Sequence, residues 1–138
     1  MKEFQIGAVG EATETVLHTN TAAAMGSGSL DVYATPAMLA LMEKAACNIV
    51  NPCLDDDTTS VGIGVNLSHD AATAVGKTVT AKAVLVGVDG RKLTFKITVS
   101  DNYGTIGQAT HERFLVNKAK FLGKLAAKDK NNSLRSCG

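Results

Sequence analysis

A chain of 138 residues carries 14 lysines and arginines against 13 aspartates and glutamates, so a net charge of +1 gives no long-range attraction to nucleic acid or an anionic membrane surface. Aromatic residues are 4 % of the total and tryptophan is absent, which argues against base-stacking surfaces. The length suits one domain with a sizeable core, expected over residues 1–130, with 131–138 as a fraying tail.

In chain order, the opening Met1-Lys-Glu-Phe-Gln-Ile-Gly7 lacks the apolar core of a signal peptide, and nothing downstream approaches the roughly 20 apolar residues that span a bilayer. Residues 4–18 alternate loosely before a polar His18-Thr-Asn20 turn and predict a strand. Residues 22–31 are small and flexible around Gly26-Ser27-Gly28-Ser29 and read as a loop. A helix follows over Thr35-Pro-Ala-Met-Leu-Ala-Leu-Met-Glu43-Lys-Ala-Ala-Cys-Asn-Ile-Val50, with Thr35 suited to the N-cap and Pro36 to the first helical position. Inside it Glu43 has Leu39, Ala40, Ala46 and Cys47 as helical neighbours, so no local partner compensates a carboxylate whose burial is costly. Such a group is a candidate for chemistry; the alternative is a narrow wet stripe shared with Lys44 and Asn48. Pro52 ends the helix and Asp55-Asp-Asp-Thr-Thr59 is a solvated turn.

The period then becomes two. Residues 60–68, 78–87, 92–101 and 106–116 predict strands, with Asp89-Gly90 and Asn102-Tyr103-Gly104 turning between the last three. From Asn117 the chain is lysine-rich, and Phe121, Leu122 and Leu125 predict a short helical turn. Three cysteines, Cys47, Cys53 and Cys137, are odd in number and lack ligand-like spacing, and no cluster resembles a metal site; a reduced, cytoplasmic setting is expected. A strand, one greasy helix and four antiparallel strands define an α+β chain. A helix apolar on nearly every side must be wrapped, which predicts the hot-dog fold, an antiparallel β-sheet around one long central helix. Its exposed edge strand predicts a homodimer by edge pairing, and dimers could pair into a tetramer.

Ala34-Thr35-Pro36, Leu41-Met42-Glu43, His69-Asp-Ala-Ala-Thr73, Gly76, Gly107 and His111-Glu-Arg113, spread over roughly residues 6–122, resemble the fluoroacetyl-CoA thioesterase family of hot-dog proteins. The resemblance implies hydrolysis of an acyl-CoA thioester without metal or organic cofactor, coenzyme A being part of the substrate. It implies catalytic roles for Thr35, Glu43 and His69. Fluorine-selective members carry phenylalanines in the loop before the helix, where this chain has Gly26-Ser27-Gly28-Ser29; strong fluoroacetyl selectivity is therefore not expected.

Glu43 could act as general base on water or attack directly, with His69 near enough to favour its charged form. The amides of Ala37 and Met38, at the positive end of the helix dipole, would suit an oxyanion. Gly62 and Gly64 either let a ligand approach the backbone or make room for the helix, the second being favoured. His111 and Arg113 share one face of the last strand, ordinarily a solvated one, though Arg113 could gate the acyl pocket or hold the partner network of Glu43. Lys118, Lys120, Lys124 and the Arg91-Lys92 pair could meet CoA phosphates. Cys47 is expected to be inert packing. Asp70 beside His69 leaves a hydratase or dehydratase on the same fold as an alternative, and a non-catalytic binder of CoA esters is a third. Thr35 and Glu43 lie eight residues apart, about 12 Å along a helix, so one thioester carbonyl cannot touch both on the same straight helix; two chains sharing a site solve this, the alternative being a site within one chain reached by a bent helix or a bridging water. Two equivalent sites at a dimer interface are expected.

Overall fold

The structure, a computed structural model, describes residues 2–137, with side chains described through Asn132. Strand β1 (Val9–Thr15) leads through a 3-10 turn into a short helix α1 (Ala22–Met25) and the long helix α2 (Thr35–Val50). Strands β2 (Thr58–His69), β3 (Thr78–Asp89), β4 (Lys92–Ser100) and β5 (Thr105–Asn117) follow, and helix α3 (Lys118–Cys137) ends the chain. The strands form one antiparallel sheet in the order β1-β3-β4-β5-β2, with α2 packed mainly on β1 and β3. This is the expected hot-dog architecture.

Period-two sequence builds the inner face of the sheet. Val79, Ala81, Ala83 and Leu85 of β3 and Leu93, Phe95, Ile97 and Val99 of β4 are buried at alternate positions. Helix α2 buries Met38, Leu41, Met42, Ala45, Ala46 and Ile49, a stripe at three- and four-residue spacing. Small residues bring the layers close: a Cβ on Gly10 would lie 2.5 Å from the Ala45 carbonyl oxygen. Within one chain the helix is covered rather than wrapped. Pro36, Ala40, Lys44 and Asn48 remain exposed, and Leu39, Glu43 and Cys47 form a half-buried strip beside them.

The strand expected over 4–18 is shorter, Val9–Thr15, the other strand ends shift by one or two residues, and four further features differ from expectation. Residues 22–25 are helical rather than loop: the Thr21 hydroxyl accepts the Ala24 N–H (3.2 Å), and Gly26 closes the turn at φ 72°, a left-handed conformation suited to glycine. Thr35 is not the N-cap of α2. The helix starts one residue earlier, with Ala34 at the cap and Met38 N–H bonded to Ala34 O (3.0 Å), so Pro36 is the second helical residue. His69 is the last residue of β2, not a loop residue. The tail is helical to Cys137, much longer than one turn, because Asn117 Oδ1 accepts the Lys120 N–H (3.0 Å) and alanines and lysines propagate the helix.

Candidate active site

At the start of α2, the Thr35 hydroxyl and His69 Nδ1 are 2.8 Å apart. Thr35 spends its hydroxyl on this bond rather than on a helix cap. The two residues are 34 positions apart, joined because α2 begins where β2 ends. Tyr33, 1 % exposed, stands edge-on to the imidazole at 6.4 Å between centroids. The Tyr33 hydroxyl donates to Glu14 Oε2 (2.5 Å), pinning the entry of α2 to β1; burial and this carboxylate push the phenol well above its ordinary pKa. Burial holds the His69 pKa below its ordinary value, opposed by the Ala71 backbone and the Asp70 charge. His69 is therefore neutral near pH 7, and its Nε2 is buried with no hydrogen-bond partner among the described residues. A cavity of about 230 Å³ opens beside the pair, lined by Ala22, Ser27, Val32, Ala71 and Ala72. Asp70 accepts the Ser68 hydroxyl (3.0 Å), and no hydrogen bond joins it to the His69 imidazole among the described residues.

Two turns further along α2 lies a second cluster. Arg113 of β5 reaches across the sheet and donates from Nη1 to Glu43 Oε2 (2.9 Å). Its Nε bonds Ser60 Oγ (2.8 Å) and its Nη2 bonds Ser60 O (3.2 Å), so the planar fork is fixed on two sides. His111 stands on the same face. Its Nδ1 is 2.8 Å from Gly64 O; a carbonyl only accepts, so Nδ1 carries the proton and Nε2 accepts from Arg113 Nη1 at 3.2 Å. Burial lowers the His111 pKa, the Gly64 bond opposes this, and the Arg113 charge lowers it further.

These contacts decide between readings that the sequence leaves open, and they join Arg113 to Glu43. The face carrying His111 and Arg113 is not solvated: the residues are 2 % and 6 % exposed. Glu43 is not a fully buried carboxylate without a partner; its side chain is 42 % exposed and Arg113 holds it. Sequence patterning places His111 and Arg113 on one face, but not which face meets α2, because that depends on the pairing of β5 with β2 and β4. Gly62 makes room for the helix side chain, since a Cβ there would lie 2.5 Å from Glu43 Oε2. Gly64 has no such constraint, its would-be Cβ meeting only Glu112 Oε1 at 3.5 Å. The Met38 amide is used within the helix, so of the two expected oxyanion donors only Ala37 keeps an N–H with no bond among the described residues.

The three expected catalytic residues thus fall into two groups. Thr35 and His69 touch; Glu43 touches neither and belongs with Arg113. The eight-residue spacing along α2 sets the groups about 12 Å apart on one chain. Cys47, one turn beyond Glu43, is half-buried and in no disulfide among the described residues. Among the described residues no helix is long and apolar enough to cross a membrane, and no group of three His, Cys, Asp or Glu residues is arranged to hold a metal ion.

The family model for fluoroacetyl-CoA-specific thioesterases matches residues 16–119. The fluoroacetyl-CoA thioesterase of Streptantibioticus cattleyicolor is 38 % identical over 98 residues, covering 71 % of this chain and 70 % of that protein. A solved structure of a threonine-to-serine variant of a fluoroacetyl-CoA thioesterase, in complex with acetyl-CoA, superposes with a TM-score of 0.84 at 31 % identity, covering 90 % of this chain and 98 % of that one. A thioesterase superfamily member from Thermus thermophilus superposes at TM-score 0.90 with 23 % identity over 97 % of this chain and 99 % of that one, a likeness of fold. The family match spans most of the hot-dog domain and both side-chain clusters: the chain belongs to the fluoroacetyl-CoA-specific thioesterase family and is a thioester hydrolase.

Proposed function

We propose that the protein is an acyl-CoA thioesterase that releases a small acid and coenzyme A at two equivalent sites of a homodimer. Each site combines Glu43 of one subunit with the Thr35–His69 pair of the other. The observation that carries this reading is the division of the family's reactive residues between two points of one helix, both beside the edge strand β2. Gly62, where Glu43 meets the strand, and His69 are both β2 residues. Antiparallel pairing of two β2 edges about a two-fold axis sets two α2 helices antiparallel, bringing the start of one toward the middle of the other.

The chemistry needs no metal or organic cofactor. Arg113 holds Glu43 through Oε2, which orients the carboxylate. Attack by this carboxylate on the thioester carbonyl forms an acyl–O bond and breaks C–S, expelling the CoA thiolate; water then hydrolyses the mixed anhydride and gives its proton to the thiolate. General-base activation of water is the shorter route to the same products. With Nδ1–H of neutral His69 donating to Thr35 Oγ1, the Thr35 O–H stays free to donate to the developing oxyanion, and the Ala37 amide at the helix start adds a second donor.

Thr35→Ala and Glu43→Gln variants, each inactive alone, are mixed and allowed to exchange subunits. Half the dimers become hybrids with one intact site of two, so about a quarter of the wild-type rate should return. No recovery after verified exchange assigns both groups to a site within one chain and removes the shared-site reading.

A further inference from the structure

The Arg113 guanidinium divides its hydrogens among three neighbours. Ser60 fixes Nε through its hydroxyl at 2.8 Å and Nη2 through its carbonyl at 3.2 Å. Nη1 carries two hydrogens and meets two acceptors, Glu43 Oε2 at 2.9 Å and His111 Nε2 at 3.2 Å. The aim of one hydrogen therefore depends on where the other is seated. His111 is itself held in the tautomer that can accept. Between Gly62 and Gly64 the pairing of β2 with β5 slips by one residue, and beside this bulge the Gly64 carbonyl takes the imidazole Nδ1–H at 2.8 Å. The three groups converge on one point. A Cβ on Gly62 would lie 2.5 Å from Glu43 Oε2 and 3.4 Å from both Arg113 Nη1 and His111 Cε1.

Packing alone does not account for this imidazole. It is buried beside Phe95 of β4, with ring centroids 6.1 Å apart, where an apolar side chain would fill the space without burying two ring nitrogens. Both nitrogens are nonetheless used, one on the strand backbone and one on the guanidinium. His111 Nε2 lies 4.0 Å from Glu43 Oε2, too far for a hydrogen bond, so its hold on the carboxylate runs through Arg113. With no acceptor at that point, the second Nη1 hydrogen is left buried and unpaired, at a cost that the guanidinium relieves by turning. Glu43, held by the same nitrogen, moves with it.

We infer that His111 is a positioning residue for hydrolysis: its unprotonated Nε2 takes one Nη1 hydrogen of Arg113 and so aims the other, and with it Glu43, at the thioester. The inference rests on the reading of Glu43 as the reactive carboxylate. The test measures kcat and KM for acetyl-CoA in three replacements, each checked for folding by its melting curve. His111→Asn keeps an N–H for Gly64 O but is too short to reach Arg113. His111→Leu fills the space and offers no acceptor; should either of these two fail to fold, the other is read in its place. His111→Gln reaches far enough to return an oxygen to Arg113. The first two should lose about tenfold or more in kcat with KM within about twofold, and glutamine should restore most of kcat. A double-mutant cycle separates positioning from general loosening. In the Glu43→Gln background the carboxylate is already gone, so a further His111→Leu should lower the residual rate by less than about twofold, whereas loosening lowers both backgrounds by the same factor. Wild-type kcat in the asparagine and leucine variants, a glutamine variant no better than leucine, or equal factors in the two backgrounds overturns the assignment. Fully active His111 variants beside an inactive Glu43→Gln enzyme remove this inference alone. A fully active Glu43→Gln enzyme removes the reactive-carboxylate reading and this inference with it.

Discussion

Glu43 gives one carboxylate oxygen to Arg113 and keeps its side chain 42 % exposed, so glutamine at this position retains an acceptor for the guanidinium while losing the charge. Glu43→Gln should fold normally and lose at least about 10²-fold in kcat; near-normal turnover in a folded variant removes Glu43 from the chemistry. Gly62 tests the same oxygen from the other side. A methyl group there would sit 2.5 Å from Oε2 and must displace it, so Gly62→Ala should cost about tenfold or more in kcat/KM with only a modest change in melting temperature. A Gly62→Ala enzyme with full activity would mean that the position of Oε2 is unimportant. His111 adds a pH dependence to stability. Burial first, and the Arg113 charge after it, hold its pKa below the ordinary 6.5, against the Gly64 bond and the charges of Glu43 and Glu112. The unfolded chain therefore binds a proton that the folded chain refuses. Stability conferred by neutral His111 is present above about pH 6.5 and is lost as pH falls below it. Chemical denaturation from pH 7.5 to 5 should show this decline, and His111→Asn should flatten it. His69, also held below its ordinary pKa, leaves a residual slope of the same sign.

Among the elements, the segment from α1 to the start of α2 bears most on substrate choice. It places Ala22, Ser27 and Val32 around the cavity beside Thr35 and His69, with no aromatic ring but Tyr33, whose hydroxyl is committed to Glu14. One fluorine adds little differential binding unless a site is shaped around it. Fluoroacetyl-CoA should therefore be favoured over acetyl-CoA by much less than a thousandfold in kcat/KM, a ratio that would need roughly 4 kcal/mol of discrimination. Competition between the two esters measures this, and a thousandfold preference would show that small side chains can do the work of an aromatic lid.

At the scale of the molecule, β2 is a 12-residue edge with Ile63 53 % and Val65 39 % exposed, and the half-buried strip of α2 borders it. An edge of that length invites pairing unless covered. The protein should sediment as a dimer, and activity per chain should fall on dilution in step with the dimer fraction. Ile63→Lys, which places a charge on the pairing edge, should weaken both together. A monomer with full specific activity would exclude sites shared between subunits.

How much of this was legible in the chain differs by level. Local periodicity determined the elements: three- and four-residue spacing from Met38 to Ile49 admits a helix, and alternating residues in β3 and β4 admit strands with one apolar face. Thr35, Glu43 and His69 could be singled out by residue type and family resemblance, and the hot-dog fold by the order of elements. Their partners could not. Arg113 lies 70 positions from Glu43, and the two meet only because the β2–β5 register aligns Gly62 with Arg113 beneath the helix. The Thr35 hydroxyl, suited by local rules to a helix cap, goes instead to an imidazole 34 positions away. The short helix α1 and the length of α3 are not legible in the chain because capping by Thr21 and Asn117 outweighs the weak apolar signal of those segments. Sequence periodicity specifies which side chains share a face; which face meets which depends on strand register and helix placement, and only the tertiary structure holds that information.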